Sequence, residues 1–371
     1  MLIKQVTVEG KDFKTIFKEF MVPVVAILLA LIVGSIFIKF SGRSVLEAYK
    51  ALFTGALGGW LSLSKTLVET TPLIFTGLAV AFAFRCGLFN IGGEGQFIIG
   101  AIFSAYLGYT LALPGIIHIP VCLMGGIIGG GVWGALAGWL KARYGAHEVI
   151  TTIMLNFIAS KLGLYLVNGP MQEPTHLRPI TPKISASAEL WRFASPSRLN
   201  IAIFIGIMCI VLIYYILQKT TLGYEIRAVG FNPWAAEYAG ITVKRNIILA
   251  MFISGALAGM AGATQVMGIA HSYNNELSAG LGFQGIAVAL LGRNNPFGVG
   301  LAAFLFGALI NGAIKMQSLA RTPKEIIQVI QGLVIIFVAA DQIARFFLQI
   351  KLNKKRQADA MHLQQEQGEK C

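Results

Sequence analysis

Ile116-Ile-His-Ile-Pro-Val-Cys-Leu-Met-Gly-Gly-Ile-Ile-Gly-Gly-Gly-Val-Trp-Gly-Ala-Leu-Ala-Gly-Trp-Leu140 contains no Asp, Glu, Lys or Arg. It exceeds the ~20 consecutive apolar residues that carry a helix across a bilayer. It does not alternate with period two, as the strand of an outer-membrane barrel would. Gly125, Gly126, Gly129, Gly130, Gly131, Gly134 and Gly138 recur at intervals of three and four, and Gly255, Gly259 and Gly262 repeat the spacing further on. In lipid such small residues let helix backbones approach closely. The run is therefore read as a membrane helix packed tightly against its neighbours.

The rest of the chain follows the same pattern. Of 371 residues, 56% are apolar and 13% charged, too little charge to clothe a soluble domain. Ten membrane segments are expected, at about 20–40, 65–86, 93–113, 116–140, 148–168, 199–218, 246–268, 283–292, 297–317 and 325–349. The eighth is too short to cross as a regular span, which makes it a half-helix or part of a longer irregular crossing. The fold class is all-α integral membrane, with about ten transmembrane helices. The division is a cytoplasmic segment 1–19, a transmembrane domain 20–349 and a cytoplasmic tail 350–371. Lys4, Lys11, Lys14 and Lys18 precede the first span, and Lys351, Lys354, Lys355 and Arg356 follow the last, so both termini are placed inside. The first run is too long for a signal-peptide core and is retained. The net charge of +13 is gathered between apolar runs and at the ends, as topology determinants are, so nucleic acid is not an expected partner. The scattered Cys86, Cys122, Cys209 and Cys371 suggest neither a metal pair nor a disulfide framework. The proline-rich loop 169–198 falls outside and offers a surface to an external partner.

Polar groups near the membrane core are few. Asn90-Ile-Gly-Gly-Glu-Gly-Gln96 carries three glycines that free backbone groups, and freed backbone survives in a bilayer only inside protein or along a wet cavity. Glu94 there is costly unless paired or hydrated. Asn90, Glu94 and Gln96 are therefore placed on a polar translocation path, against the alternative of a turn in which Glu94 caps the third span. Asn156, within the fifth span, is pathway lining or helix–helix glue. Segments 87–100 and 280–292 resemble each other, and the spans before them run oppositely, the pattern of inverted repeats with Gly-broken helices. Glu148 is expected as a helix-start cap. Arg85, Lys161 and Lys315 are expected to snorkel to the interface, and Asp341 to pair with Arg345. His118 and His147 lack ligand-spaced partners, so no metal site is expected. Catalytic constellations and the phosphate-cradling glycine loop are missing, so the chain is expected to be no enzyme and to need no cofactor.

One hydrophilic stretch, 219–245, interrupts the apolar pattern. Asn232 is a good N-cap, Pro233 suits the first helical position and Gly240 can close the helix left-handed. A two-turn helix results, faced by Ala235, Ala236 and Ala239 and shaped to enter a groove on a soluble partner.

Phe89-Asn-Ile-Gly-Gly-Glu-Gly-Gln-Phe97, Glu148-Val-Ile-Thr-Thr-Ile-Met-Leu-Asn156 and Gly282-Phe-Gln-Gly-Ile-Ala-Val-Ala-Leu-Leu-Gly292 carry a resemblance over about 20–345. They are similar to the permease subunits of bacterial ABC importers, in the branched-chain amino acid and simple-sugar permease group, and look closest to the nucleoside-type permeases. Arg227-Ala-Val-Gly-Phe-Asn-Pro-Trp-Ala-Ala-Glu-Tyr-Ala-Gly240 is similar to that family's ATPase-docking loop. The resemblance implies a multi-pass subunit of the bacterial cell membrane. Its partners would be an ABC ATPase, a second permease subunit and an extracytoplasmic substrate-binding lipoprotein. It implies docking through Arg227, Asn232, Pro233, Trp234, Ala236, Glu237 and Gly240, and adds Phe283 and Gln284 to the path. An acidic residue is common in the family where Gln284 stands. Amides together with Phe89, Phe97 and Phe283 suit an uncharged nucleoside, and suit a simple sugar as well. An ion-coupled secondary transporter is the rival of another class, with Glu94 its one serious embedded carboxylate.

Overall fold

The computed structural model describes residues 13–194, 196–323 and 325–337. The described helices are α1 Phe13–Phe40, α2 Val45–Leu57, α3 Trp60–Arg85, α4 Gly93–Thr110, α5 Gly115–Tyr144, α6 Glu148–Val167, α7 Ala202–Lys219, α8 Thr221–Phe231, α9 Pro233–Tyr238, α10 Val243–Gln265, α11 Leu281–Leu291 and α12 Pro296–Ala320. A last helix, α13, covers Glu325–Phe337. A two-stranded antiparallel ribbon, β1 Arg192–Ala194 with β2 Leu199–Asn200, lies between α6 and α7. The protein is a mostly helical, multi-pass membrane protein.

Among the described residues six helices are long and apolar enough to cross a bilayer: α3, α5, α6, α7, α10 with its π-helical continuation to Ala270, and α12. The expected ten spans are thus not all met on length and composition. Ile27–Phe40 of α1, α11 and α13 are apolar but short. Helix α4 carries Glu94 and Gln96 in its first turn. Helix α2 went unforeseen because its 13 residues put Glu47 and Lys50 beside buried Ala48, Ala51 and Leu52, too polar to read as a span. Residues 1–12, the tail 350–371 and the expected Asp341–Arg345 pair lie outside the described residues.

The chain forms two compact units, Met1–Val45 with Thr322–Cys371, and Leu46–Arg321. The first is described by α1 and α13. The second holds everything that follows.

At the heart of the second unit is α10. Gly259 sits so close to α5 that a Cβ on it would run into the Gly126 carbonyl and come within 2.9 Å of the Gly130 Cα. A Cβ on Gly262 would run into the Phe97 carbonyl of α4. The glycine stripes read from the sequence are these two faces, and α10 is clasped between α4 and α5. A separate polar staple fixes α12: buried Asn311 donates through Nδ2 to the carbonyls of Gly55 (3.0 Å) and Ser62 (2.9 Å) and to Thr66 Oγ1 (3.0 Å).

Helix α11 is a half-helix. Its Gly285 abuts Thr76 near the middle of α3, and just beyond its last turn the Asn294 carbonyl accepts from Arg85 Nε (3.0 Å) at the end of α3. Eleven residues at about 1.5 Å rise cover about half of a ~30 Å hydrocarbon core. Helix α4 starts where α11 starts, since Gly93 and Gly282 touch through their backbones. Irregular chain at 86–92 and 271–280 leads into these two starts. At the end of the unit where α4 finishes, loop 169–198 straps this region: Thr181 N–H donates to the Tyr273 carbonyl (3.0 Å), Ile184 N–H to His271 (2.9 Å) and Leu190 N–H to Met267 (3.0 Å). The loop is thus partly a packed layer, with Leu177 and Trp191 left exposed.

Candidate functional site

The freed backbone at the α4–α11 junction finds its partners in two side chains. Glu94, 8% exposed, accepts from Gly280 N–H at Oε1 (3.1 Å) and Gly282 N–H at Oε2 (2.8 Å). Its carboxylate therefore caps α11, whose positive end favours an anion. Asn156 of α6 does the same for α4: Oδ1 accepts from Gly95 N–H (2.8 Å) and Nδ2 donates to the Ile91 carbonyl (2.9 Å). The capping alternative expected Glu94 at the start of its own span, but the helix whose start it caps is α11.

Beside this junction lies a cleft of about 550 Å³. Glu94, Asn156 and Phe283 stand in its wall, with Phe157, Ser160, Asn275, Glu276 and Ser278. Phe157 and Phe283 expose ring surface, and Asn275 Oδ1 is buried without a hydrogen-bond partner. The cleft thus offers hydrogen-bond acceptors beside aromatic faces where α4 and the half-helix α11 start, and broken-helix transporters hold their solutes at such helix starts.

Three residues expected on the path, Asn90, Gln96 and Gln284, are not in the wall of this cleft. Asn90 and Gln96 are fully buried in a closed network: Asn90 Nδ2 donates to Gln96 Oε1 (2.9 Å) and Ser254 Oγ (2.8 Å), while Asn90 Oδ1 accepts from Gly92 N–H (2.8 Å). Ser254 in turn donates to the Ala79 carbonyl (2.6 Å). These amides join α3, α4 and α10 and do not face the cleft. Gln284 is absent from the wall, and its Oε1 is buried without a partner. Among the aromatics Phe97 is fully buried and Phe89 packs on Phe84. Asn275, Glu276 and Ser278 escaped the sequence reading because they sit in a loop with no periodicity. The one available signal was a polar run just ahead of a glycine-opened half-helix.

Replacing Asn90 with alanine strands Gly92 N–H, Gln96 and Ser254, and each buried unsatisfied group costs about 1–3 kcal/mol. The detergent-solubilised variant is expected to melt several degrees below wild type. Equal melting temperatures would show that the network carries no stability.

At the opposite end from loop 169–198, the polar stretch folds as two helices. Asn232 Oδ1 caps α9, accepting from Trp234 N–H (3.0 Å) and Ala235 N–H (3.2 Å), and Gly240 is left-handed at φ 82°. The expected two-turn helix is shorter, six residues, and only part of its alanine face is free: Ala236 is buried in its own chain, while Ala235 and Ala239 are exposed. At the α8–α9 corner the large exposed apolar side chains are Phe231, Trp234 and Tyr238. Glu237 is exposed, and Arg227 is turned inward onto Gly223 and Gln218. Gly230 of α8 meets the Arg85 carbonyl and Gly87, the turn that leads into Asn90–Glu94. Arg85 Nε donates to the Asn294 carbonyl (3.0 Å), and Lys315 Nζ reaches the Thr54 carbonyl (3.4 Å). Glu148 accepts from Lys141 Nζ (2.5 Å) in the first turn of α6.

The chain is thus a multi-pass helical bundle in which the half-helix α11 meets the start of α4 beside a cleft. Residues 62–339 match the family described as branched-chain amino acid transport system / permease component, and the chain belongs to that family. It is 41% identical over 341 residues to the guanosine ABC transporter permease protein NupP of Bacillus subtilis, covering 90% of this chain and 97% of that one. It is 37% identical to the nucleoside ABC transporter permease protein NupB of Lactococcus lactis, covering 95% and 99%. The glucose ABC transporter permease protein TsgB13 of Haloferax volcanii is 32% identical, covering 86% and 87%.

Proposed function

We propose that this chain is the permease subunit of an ATP-driven importer and that its solute is a nucleoside. The observation that carries the reading is the cleft at the α4–α11 junction, whose acceptors and exposed aromatic rings suit an uncharged ligand with a flat face and hydroxyl groups. The nucleoside-transporting relatives span almost the whole chain, which supports that choice over a sugar. The glucose permease relative keeps the sugar reading as the second candidate.

In this reading ten elements enter the membrane, namely the six long helices with α1, α4, α11 and α13. The segments from α3 to α4 and from α10 to α11 form inverted repeats. Each second helix lies on the other repeat's first: Gly100 of α4 against Gly259 of α10, Gly285 of α11 against Thr76 of α3. The transmembrane domain is 20–349, the termini are cytoplasmic, and an external binding lipoprotein meets the side of loop 169–198. A second permease completes the path. Both organisms named for nucleoside relatives also hold a less similar permease, NupQ at 29% and NupC at 28%, which favours a heterodimer.

The ATPase docks on the α8–α9 corner through Phe231, Trp234 and Tyr238, and Gly230 passes its movement to the turn before Glu94. Large exposed aromatics anchor interfaces. Trp234→Ala is expected to cut ATPase co-purification at least tenfold, about 1.4 kcal/mol, while the permease still reaches the membrane. Undiminished recovery of the ATPase would remove α9 from the interface.

Uptake tests the function itself. Proteoliposomes holding the chain with its second permease, ATPase and binding protein are expected to take up labelled guanosine only with ATP inside the ATPase compartment. Unlabelled nucleosides should compete and glucose should not. Uptake driven by an ion gradient without ATP, or competition by glucose alone, would overturn the proposal.

A further inference from the structure

The walls of the cleft are largely apolar, and the polar groups set into them include no basic one. Glu94, Asn156, Ser160, Asn275, Glu276 and Ser278 face it, and no lysine, arginine or histidine is among its described wall residues. Lys161, next to Ser160, is exposed and is not part of the wall. The Glu94 charge is partly offset by the α11 N–H groups that it accepts from. Glu276 has no such offset: its own N–H bonds to Asn274 Oδ1 (3.0 Å), and no described cation pairs with its carboxylate.

We propose that Glu276, with Glu94 behind it, makes this cleft a charge filter that passes uncharged donors of hydrogen bonds and turns away phosphate monoesters. The inference rests on the cleft being the solute path. A phosphate monoester carries about −1.5 to −2 charges at neutral pH. Bringing it beside two carboxylates is repulsive, most strongly near the buried Glu94, and no basic group in the wall offsets the repulsion. An uncharged nucleoside meets no such barrier, and its hydroxyl and N–H donors find the Asn275 and Glu94 oxygens. Phosphorylated nucleosides outside the cell must then first be hydrolysed. Water cleaves the phosphoester P–O bond, giving the nucleoside and inorganic phosphate, and the nucleoside enters.

Thiol labelling of the assembled transporter tests this without relying on the binding protein's own selectivity. Cys86, Cys122 and Cys209 are buried, so with Cys371 replaced by serine a Ser160→Cys substitution supplies the reactive thiol in the cleft. Cationic and anionic alkylthiosulfonates of equal size are compared, each relative to its rate with a free small thiol. The cationic reagent is expected to be favoured at least tenfold, and Glu276→Gln should shrink that preference severalfold. Millimolar guanosine should slow labelling, whereas guanosine 5′-monophosphate at the same concentration should not. A preference equal to the free thiol's, one unmoved by Glu276→Gln, or equal protection by the monophosphate overturns the filter. An intact preference with protection by neither ligand keeps the filter and counts instead against the nucleoside as solute.

Discussion

Gly259→Leu is expected to leave no folded protein. Gly259 is where α4, α5 and α10 come closest: a Cβ there would run into the Gly126 carbonyl, and Cβ atoms on Gly100 or Gly130 would run into Gly259 itself. Overpacking a core costs about 1–3 kcal/mol when side chains can shift. Here the obstacles are backbone atoms of neighbouring helices, so whole helices must separate and give up the close packing that holds membrane bundles together. With net stabilities of only about 5–15 kcal/mol, a forced separation at the centre is not survivable. The control is Val132→Leu on α5, because Val132 is 58% exposed and has room outward. Fluorescence-detected gel filtration of solubilised membranes should give a monodisperse peak for the control and none for Gly259→Leu. A normal peak and wild-type melting temperature for Gly259→Leu would mean that the α5–α10 contact is far looser than described.

That contact was legible in the sequence, because a glycine stripe in an apolar run has few other uses. The half-helix at 281–291 was legible for a similar reason, since a run that short cannot cross alone. Glu94 and Asn156 stood out as polar groups that a membrane segment must justify. What the sequence could not say is which way each amide points. Asn90 and Gln96 are chemically as suited to a path as Asn156, and only tertiary packing closes them into a network with Ser254. Ala236 looked free because small residues on a capped helix suit a groove, yet its own chain covers it. Asn275 and Glu276 gave no periodic signal, because they reach the cleft through an irregular loop held by Thr181 and Ile184 from loop 169–198, far away in sequence.

Glu94→Gln is expected to lower solute uptake by tenfold or more while leaving the amount of folded protein unchanged. The carboxylate accepts two backbone N–H groups at once, one on each oxygen. A glutamine has the same shape but one acceptor and one donor, so its NH₂ must face either Gly280 N–H or Gly282 N–H. One buried donor is then unsatisfied, at about 1–3 kcal/mol. The anion that complements the positive end of α11 is also lost, worth a further ~0.3–1 kcal/mol or more where the site is partly buried. Together these correspond to about one to three powers of ten in the population that holds α4 and α11 in register, since about 1.4 kcal/mol is tenfold. The fold is spared because the α5–α10 clasp, the Asn90 network and the Asn311 staple do not involve this carboxylate. Uptake and gel-filtration yield measured on the same membranes separate the two effects. Glu94→Asp keeps the charge but shortens the reach, and should fall between wild type and Glu94→Gln. Wild-type uptake by Glu94→Gln at normal yield would mean that the junction between α4 and α11 does not have to hold for solute to pass.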